Sequence, residues 1–149
     1  MSLSTEVMMQ MKAAMKSKDQ NALTSLRAIK SAILMAQTES GAKEELTEEQ
    51  ELKLLQKLVK QRKDSAAIFT EQNRSDLAEP EIAQAEVISR FLPAQMTETE
   101  IEAVVSEVIA QTGAQGMKDM GKVMGMVNGK VAGKADGSTV AKVVKAKLA

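Results

Sequence analysis

The chain has no cysteine, histidine, tryptophan or tyrosine, and only two phenylalanines among its 149 residues. Without Cys and His there is no zinc site, no haem ligation, no thiol nucleophile, no disulfide and no His-based triad. Carboxylate-only magnesium or calcium sites survive that filter. The scarcity of aromatics removes the base-stacking platforms used by most readers of single-stranded RNA. No apolar run approaches the roughly 20 residues of a membrane span. The opening Met1-Ser2-Leu3-Ser4-Thr5 carries neither the basic nor the apolar region of a secretory signal. A cytoplasmic protein without a membrane partner is expected. Charge of one sign is also lacking, with 20 Lys+Arg against 20 Asp+Glu. That balance argues against a general nucleic-acid coat but leaves room for a local basic patch.

Ala, Leu, Met, Glu, Lys and Gln dominate what is present, a composition that favours helix. Leu, Ile, Val and Phe together make about 22% of the chain, only just above the range of disordered chains, so Met and Ala must be recruited into the core. The expected fold is all-α: an N-terminal helical bundle over residues 1–93, then a smaller three-helix subdomain over 94–149.

Local signals mark the helices. Ser4 is the expected cap of the first, with Leu3 stapled onto Met8 and with Met8, Met11 and Met15 read as an ordinary core stripe. Asp19 caps a second helix whose apolar face is Leu23, Leu26, Ile29, Ile33 and Leu34. Thr47 and Gln50 form a capping box for a third, buried through Leu52, Leu55, Val59, Ile68 and Phe69. A fourth follows Asn73-Arg74-Ser75 and runs to Leu92, with Ile82, Ala85, Ile88, Phe91 and Leu92 inward. Pro80 either kinks that helix or marks its first turn. Pro93 closes the block.

Thr97-Glu98-Thr99-Glu100 is a second capping box, and Gly113 is the natural stop of the fifth helix. Composition then changes abruptly. Seven of the eight glycines lie between Gly113 and Gly137, and Gly121, Gly125, Gly129, Gly133 and Gly137 recur every fourth residue. Residues 97–116 hold four Glu and no base, whereas 117–149 hold seven Lys against Asp119 and Asp136, a local charge of +5. A helix over about 118–127, a glycine-rich turn and a last helix capped by Asp136 fit this stretch. The glycine spacing points to close helix packing, and Asn128-Gly129 and Asp136-Gly137 to turns.

Gly116 to Val123 matches most of a phosphate-cradling G-x-x-x-x-G-K-[ST] loop. Val123 stands where the metal-binding hydroxyl belongs, and a helix precedes the motif instead of a strand, so no nucleotide is expected there. A second basic set lies on the second and third helices: Arg27 with Lys30, and Lys60, Arg62 and Lys63. Spacings of three put Arg27 with Lys30, and Lys60 with Lys63, on common faces. The set reads as a solvated, ion-paired surface or as a phosphate contact. Ser65 beside these lysines lacks the dry pocket and oxyanion donors of a Ser–Lys nucleophile.

Leu26-Arg27-Ala28-Ile29-Lys30-Ser31-Ala32, Val59-Lys60-Gln61-Arg62-Lys63-Asp64-Ser65 and Phe91-Leu92-Pro93-Ala94-Gln95-Met96-Thr97 closely resemble the small bacterial YqeY family. Met120-Gly121-Lys122-Val123-Met124-Gly125 and Gly133-Lys134-Ala135-Asp136-Gly137 resemble its C-terminal signature. The resemblance covers essentially the whole chain and implies two helical subdomains. The same module is similar to the tail of GatB, the amidotransferase subunit that contacts tRNA while other parts perform amide transfer. Gly137 stands where that tail commonly has Pro.

The function expected from the resemblance and the lysine-rich end is a non-catalytic, RNA-interacting accessory, for tRNA or a tRNA-handling complex. Lys118, Lys122, Lys130 and Lys134 are the candidate phosphate contacts, with Arg27, Lys30, Lys60, Arg62 and Lys63 as a second set. Gly121, Gly125, Gly133 and Gly137 are the structural glycines. The alternatives are a protein–protein adaptor docking through an apolar helix face, and a component of a carbon–nitrogen ligase with glutamine as amide donor. Catalysis by the chain alone would need a glutaminase nucleophile and an ATP site, and the sequence offers neither; no cofactor or metal is expected.

Overall fold

The computed structural model describes residues 2–39, 41 and 45–149, and these are all-helical. The helices are α1 (Leu3–Ser17), α2 (Gln20–Glu39), α3 (Glu48–Glu71), α4 (Ser75–Ser89), α5 (Glu98–Thr112), α6 (Met120–Lys130) and α7 (Gly137–Leu148). A one-turn 3₁₀ helix, Met117–Asp119, leads into α6. The chain divides into two compact units, Met1–Leu92 and Pro93–Ala149.

In the first unit the cap of α1 is Ser2, not Ser4: its Oγ accepts from the Thr5 N–H at 3.2 Å. Leu3 is therefore the first helical residue and is buried, so it cannot staple from outside. The face that packs is Leu3, Val7 and Ala14, with Met11 partly covered. The expected Met core stripe is corrected accordingly, because Met8 and Met15 remain 47% and 53% exposed. At the far end, Lys18 takes a left-handed φ of 57°. The amides of Lys18 and Asp19 return to the carbonyls of Met15 and Ala14, satisfying the last turn. Asp19 then caps α2, accepting the Ala22 N–H at 3.1 Å, and the two helices form a tight hairpin.

Leu23, Leu26, Ile29 and Ile33 bury the inner face of α2, while Leu34, expected inside, is 54% exposed. Thr47 and Gln50 make the full reciprocal capping box at the start of α3. The core takes Leu55 and Val59 from α3 and Ala85 and Ile88 from α4, with Leu54, Leu58, Phe91 and Leu92 packed at its margin. Toward their shared turn the two helices meet through small residues, Ala66 and Ala78, and through Arg62, which spans from one to the other. The larger side chains there are not enclosed among the described residues: Ile68 and Ile82, expected inward, are 53% and 54% exposed. The turn is sharp because Asn73 adopts φ 57° and Arg74 N–H reaches back to Phe69 O at 2.8 Å. Pro80 lies inside α4, past its first turn. The Asp76 carbonyl thereby loses its usual helical donor.

The second unit is built around valine. Ile101, Val105 and Val108 from α5, Val123 and Val127 from α6, Val131, and Val140, Val143, Val144 and Leu148 from α7 form one buried cluster. Thr97 Oγ1 accepts from the Glu100 N–H, the forward half of the expected box, and Gly113 ends α5 at φ 65°. Asp136 caps α7. The helix expected over 118–127 instead runs to Lys130, so Asn128-Gly129 is helical and not a turn. Gly137 is likewise the first residue of α7.

The expectation of close helix approach along the glycine series is corrected. A side-chain carbon added at Gly121, Gly125, Gly129 or Gly137 would meet no atom within 4 Å. Val123 and Val127 face the core, which leaves Gly121, Gly125 and Gly129 on the exposed side of α6. Gly133 differs: it is buried with φ 76°, a conformation that L residues with a side chain adopt at a cost.

Candidate nucleic-acid interface

The turn after α6 is fastened before any lysine is considered. The Met96 N–H donates to Lys134 O at 2.8 Å, the Lys134 N–H to Val131 O at 2.8 Å, and Gln95 Nε2 to both Gly133 O and Pro93 O at 2.8 Å. Gln95 and Met96 thus hold the backbone that carries Lys134. The sequence alone places Gln95 and Met96 in the short connector 94–96, with Met96 as a staple to Ile101, and does not mark this fastening role; the signal was their place inside the Phe91–Thr97 motif. Asp136 completes the turn. Burial pushes its carboxyl pKa up, yet hydrogen bonds from the Ser138 and Thr139 hydroxyls and backbone amides prevail and hold it at about 2. The cap is therefore ionised at any pH compatible with RNA.

Lys118, Lys122, Lys130 and Lys134 are all exposed. Lys118 precedes α6, Lys122 sits in its first turn and Lys134 rides the fastened turn. Lys130 is engaged: its Nζ lies 3.3 Å from Glu107 Oε1 on α5. Exposed Lys142, Lys145 and Lys147 on α7 extend the basic set. In the sequence these three count toward the local charge of +5 but are not among the candidate contacts. Acidic side chains concentrate on α5, where Glu98, Glu100, Glu102 and Glu107 are exposed. The unit is thus electrically two-sided in sequence: one acidic helix, then two basic ones.

The G-x-x-x-x-G-K segment does not form a phosphate cradle. Gly116 (φ 77°) opens the 3₁₀ turn, and Asp119 Oδ2 accepts the Gln115 N–H at 2.9 Å. A carboxylate already occupies the donor that an anion would need, and it would repel one.

Two members of the second basic set are engaged by their own contacts. Arg62 is half-buried, donating from Nε to Gln84 Oε1 at 3.3 Å and from Nη1 to Leu58 O at 3.2 Å, so it clips α3 to α4. Lys60 pairs with Asp64 at 3.2 Å. Arg27, Lys30 and Lys63 are exposed, the first two on α2 and the third on α3. Among the described residues no group of acidic side chains could hold a metal ion. No described helix is long and apolar enough to cross a membrane.

The chain is 40% identical over 82 residues to "Altered inheritance of mitochondria protein 41, mitochondrial" from Clavispora lusitaniae, covering 55% of this chain and 46% of that protein. It is 36% identical over 104 residues to the protein of the same name from Lachancea thermotolerans, covering 68% and 54%. The chain thus spans about half the length of the curated relatives it matches. A family model described as a Yqey-like protein matches residues 4–148, nearly the full length. The chain belongs to the Yqey-like protein family.

Proposed function

We propose that the protein is a non-catalytic RNA-contacting accessory, acting on tRNA or within a tRNA-handling complex. The observation that carries this reading is the charge arrangement of the second unit. Seven exposed lysines follow an acidic α5, and among the described residues Lys130 alone of the seven is in an ion pair. Unpaired ammonium groups on short helices are suited to phosphates, which position an RNA without reading its bases. Recognition by backbone shape agrees with the lack of stacking aromatics. The resemblance to an amidotransferase tail supports the same role, with amide transfer left to other subunits; no carbon–nitrogen ligase activity is proposed for this chain alone. The proposed compartment is the cytoplasm. The word "mitochondrial" in the relatives' names describes those proteins, and the RNA reading does not depend on it.

The test is a salt titration of tRNA binding. Each phosphate contact releases counterion and contributes roughly 0.7–0.9 to the log–log slope. Replacing Lys118, Lys122 and Lys134 together by Gln should flatten the slope by about two to three units. Unrelated structured RNAs should weaken to the same degree. An unchanged slope with the fold intact would show that these lysines only solvate the surface.

A further inference from the structure

Helix α1 offers a second, unrelated surface. With Leu3, Val7 and Ala14 turned into the core, the stripe Ser4, Met8, Met11 and Met15 runs along one flank of the helix. On α2 the corresponding flank carries Arg27, Lys30 and Leu34. A recess of about 50 Å³, lined by Ser4, Val7, Lys30, Ile33, Leu34 and Gln37, shows that both flanks open on the same side of the hairpin. It admits several water-sized groups, enough for the end of one apolar side chain. Leu34 in its wall is about half exposed, as are Met8 and Met15 farther along the α1 flank.

Charge is distributed unevenly about this groove. Lys12 and Lys16 follow the outer edge of the methionine stripe, and Arg27 and Lys30 edge the α2 side. All four are exposed, and none is in a salt bridge with a described residue. The acidic residues of the hairpin lie elsewhere. Glu6 is on the far side of α1 from Met8, Asp19 is used as the α2 cap and Glu39 is rotated well away from Leu34. Exposed Met and Leu side chains with unpaired basic groups on both helices, Lys30 in the recess itself, complement a helix with an apolar stripe flanked by carboxylates. Methionine thioethers adapt to irregular apolar partners.

We propose that the α1/α2 groove docks an acidic amphipathic helix of a partner protein. Calorimetric titration of the full chain with two synthetic helices of about 15 residues tests it. Both carry Leu at i, i+3, i+4 and i+7; one has Glu and the other Lys at the flanking positions. The Glu helix should bind saturably and about tenfold more tightly than the Lys helix. Lys12→Glu with Lys30→Glu should abolish that preference. Met8→Ala with Leu34→Ala should weaken binding roughly tenfold at both low and high salt, since it removes apolar contact and not charge. Ile68→Ala, exposed on α3, should change nothing. All these side chains are exposed, so the circular dichroism melt should not move and binding losses can be read directly. The proposal fails if the Glu helix does not saturate, if both peptides bind alike, or if neither double variant weakens binding. It also fails if the groove variants abolish self-association in sedimentation, which would make a second copy the occupant. Vesicles rich in acidic phospholipid competing off the Glu helix would make it a lipid surface, and structured RNA doing so a phosphate surface.

Discussion

Eleven buried residues form the core of the first unit, mainly Leu and Ile; ten form that of the second, and eight of those are Val. The first unit nevertheless leaves Met8, Met9, Met15, Leu34, Met35, Ile68, Leu77 and Ile82 substantially exposed, against only Met117 and Met126 in the second. Side-chain entropy explains part of the contrast. Valine has few rotamers to lose on burial, so a helix packed through valine offsets its weaker helix propensity. Methionine loses up to roughly 2 kcal/mol of rotamer freedom when fixed, and here it stays at the core margins or outside: Met11, Met96, Met120 and Met124 are only partly buried. The small unit hides its apolar surface and presents charge; the larger one presents apolar surface beside charge.

Separate cores should melt separately. Ile88→Ala in the first unit and Ile101→Ala in the second should each cost about 2–5 kcal/mol. By differential scanning calorimetry each should lower one transition and spare the other. A single transition that follows either mutation would show that the units fold as one body.

A smaller effect sharpens the comparison at a helix start. Asp136→Ala removes the α7 cap and should destabilise the second unit by about 1 kcal/mol. Because the folded carboxyl is held at about 2 against an ordinary 3.8, its contribution is complete above pH 3.8 and is lost as the pH falls toward 2. An acid titration of the second unit should show this loss in the wild type and not in Asp136→Ala. In the first unit the carboxyls of Glu49 and Asp76 are lowered by the hydrogen bonds of Lys53 and Arg74.

The smallest effect has the opposite sign. Gly125→Ala and Gly129→Ala place a methyl in open space on a helix and should each stabilise the second unit by about 0.5–1 kcal/mol, seen as a higher melting temperature. Destabilisation would mean that the glycines serve a close contact after all.

Helix existence and most helix ends were legible in the sequence. Asp19, Thr47, Thr97, Gly113 and Asp136 each act within a few residues of the backbone groups they satisfy, and each does so in the structure. Ser2 shows how narrow the margin is. Moving the cap two residues from Ser4 turned Leu3 from a staple into core. The candidate lysines were legible as exposed positions, but not their pairing: Lys130 meets Glu107 across 23 residues, and Arg62 reaches Gln84 across 22.

What the sequence determined alone is therefore an all-helical chain, where most of its helices begin and end, and the concentration of positive charge after residue 116. Those properties depend on propensity, hydrogen bonds over three or four residues, and composition. Tertiary structure decided which apolar stripe was enclosed. Met8, Leu34, Ile68 and Ile82 have the spacing of core residues, yet each stays about half exposed among the described residues. It also decided that Gly121, Gly125 and Gly129 face outward, since the same four-residue repeat fits a packed or an open helix face. Burial is a property of two surfaces, and a periodic pattern describes only one of them.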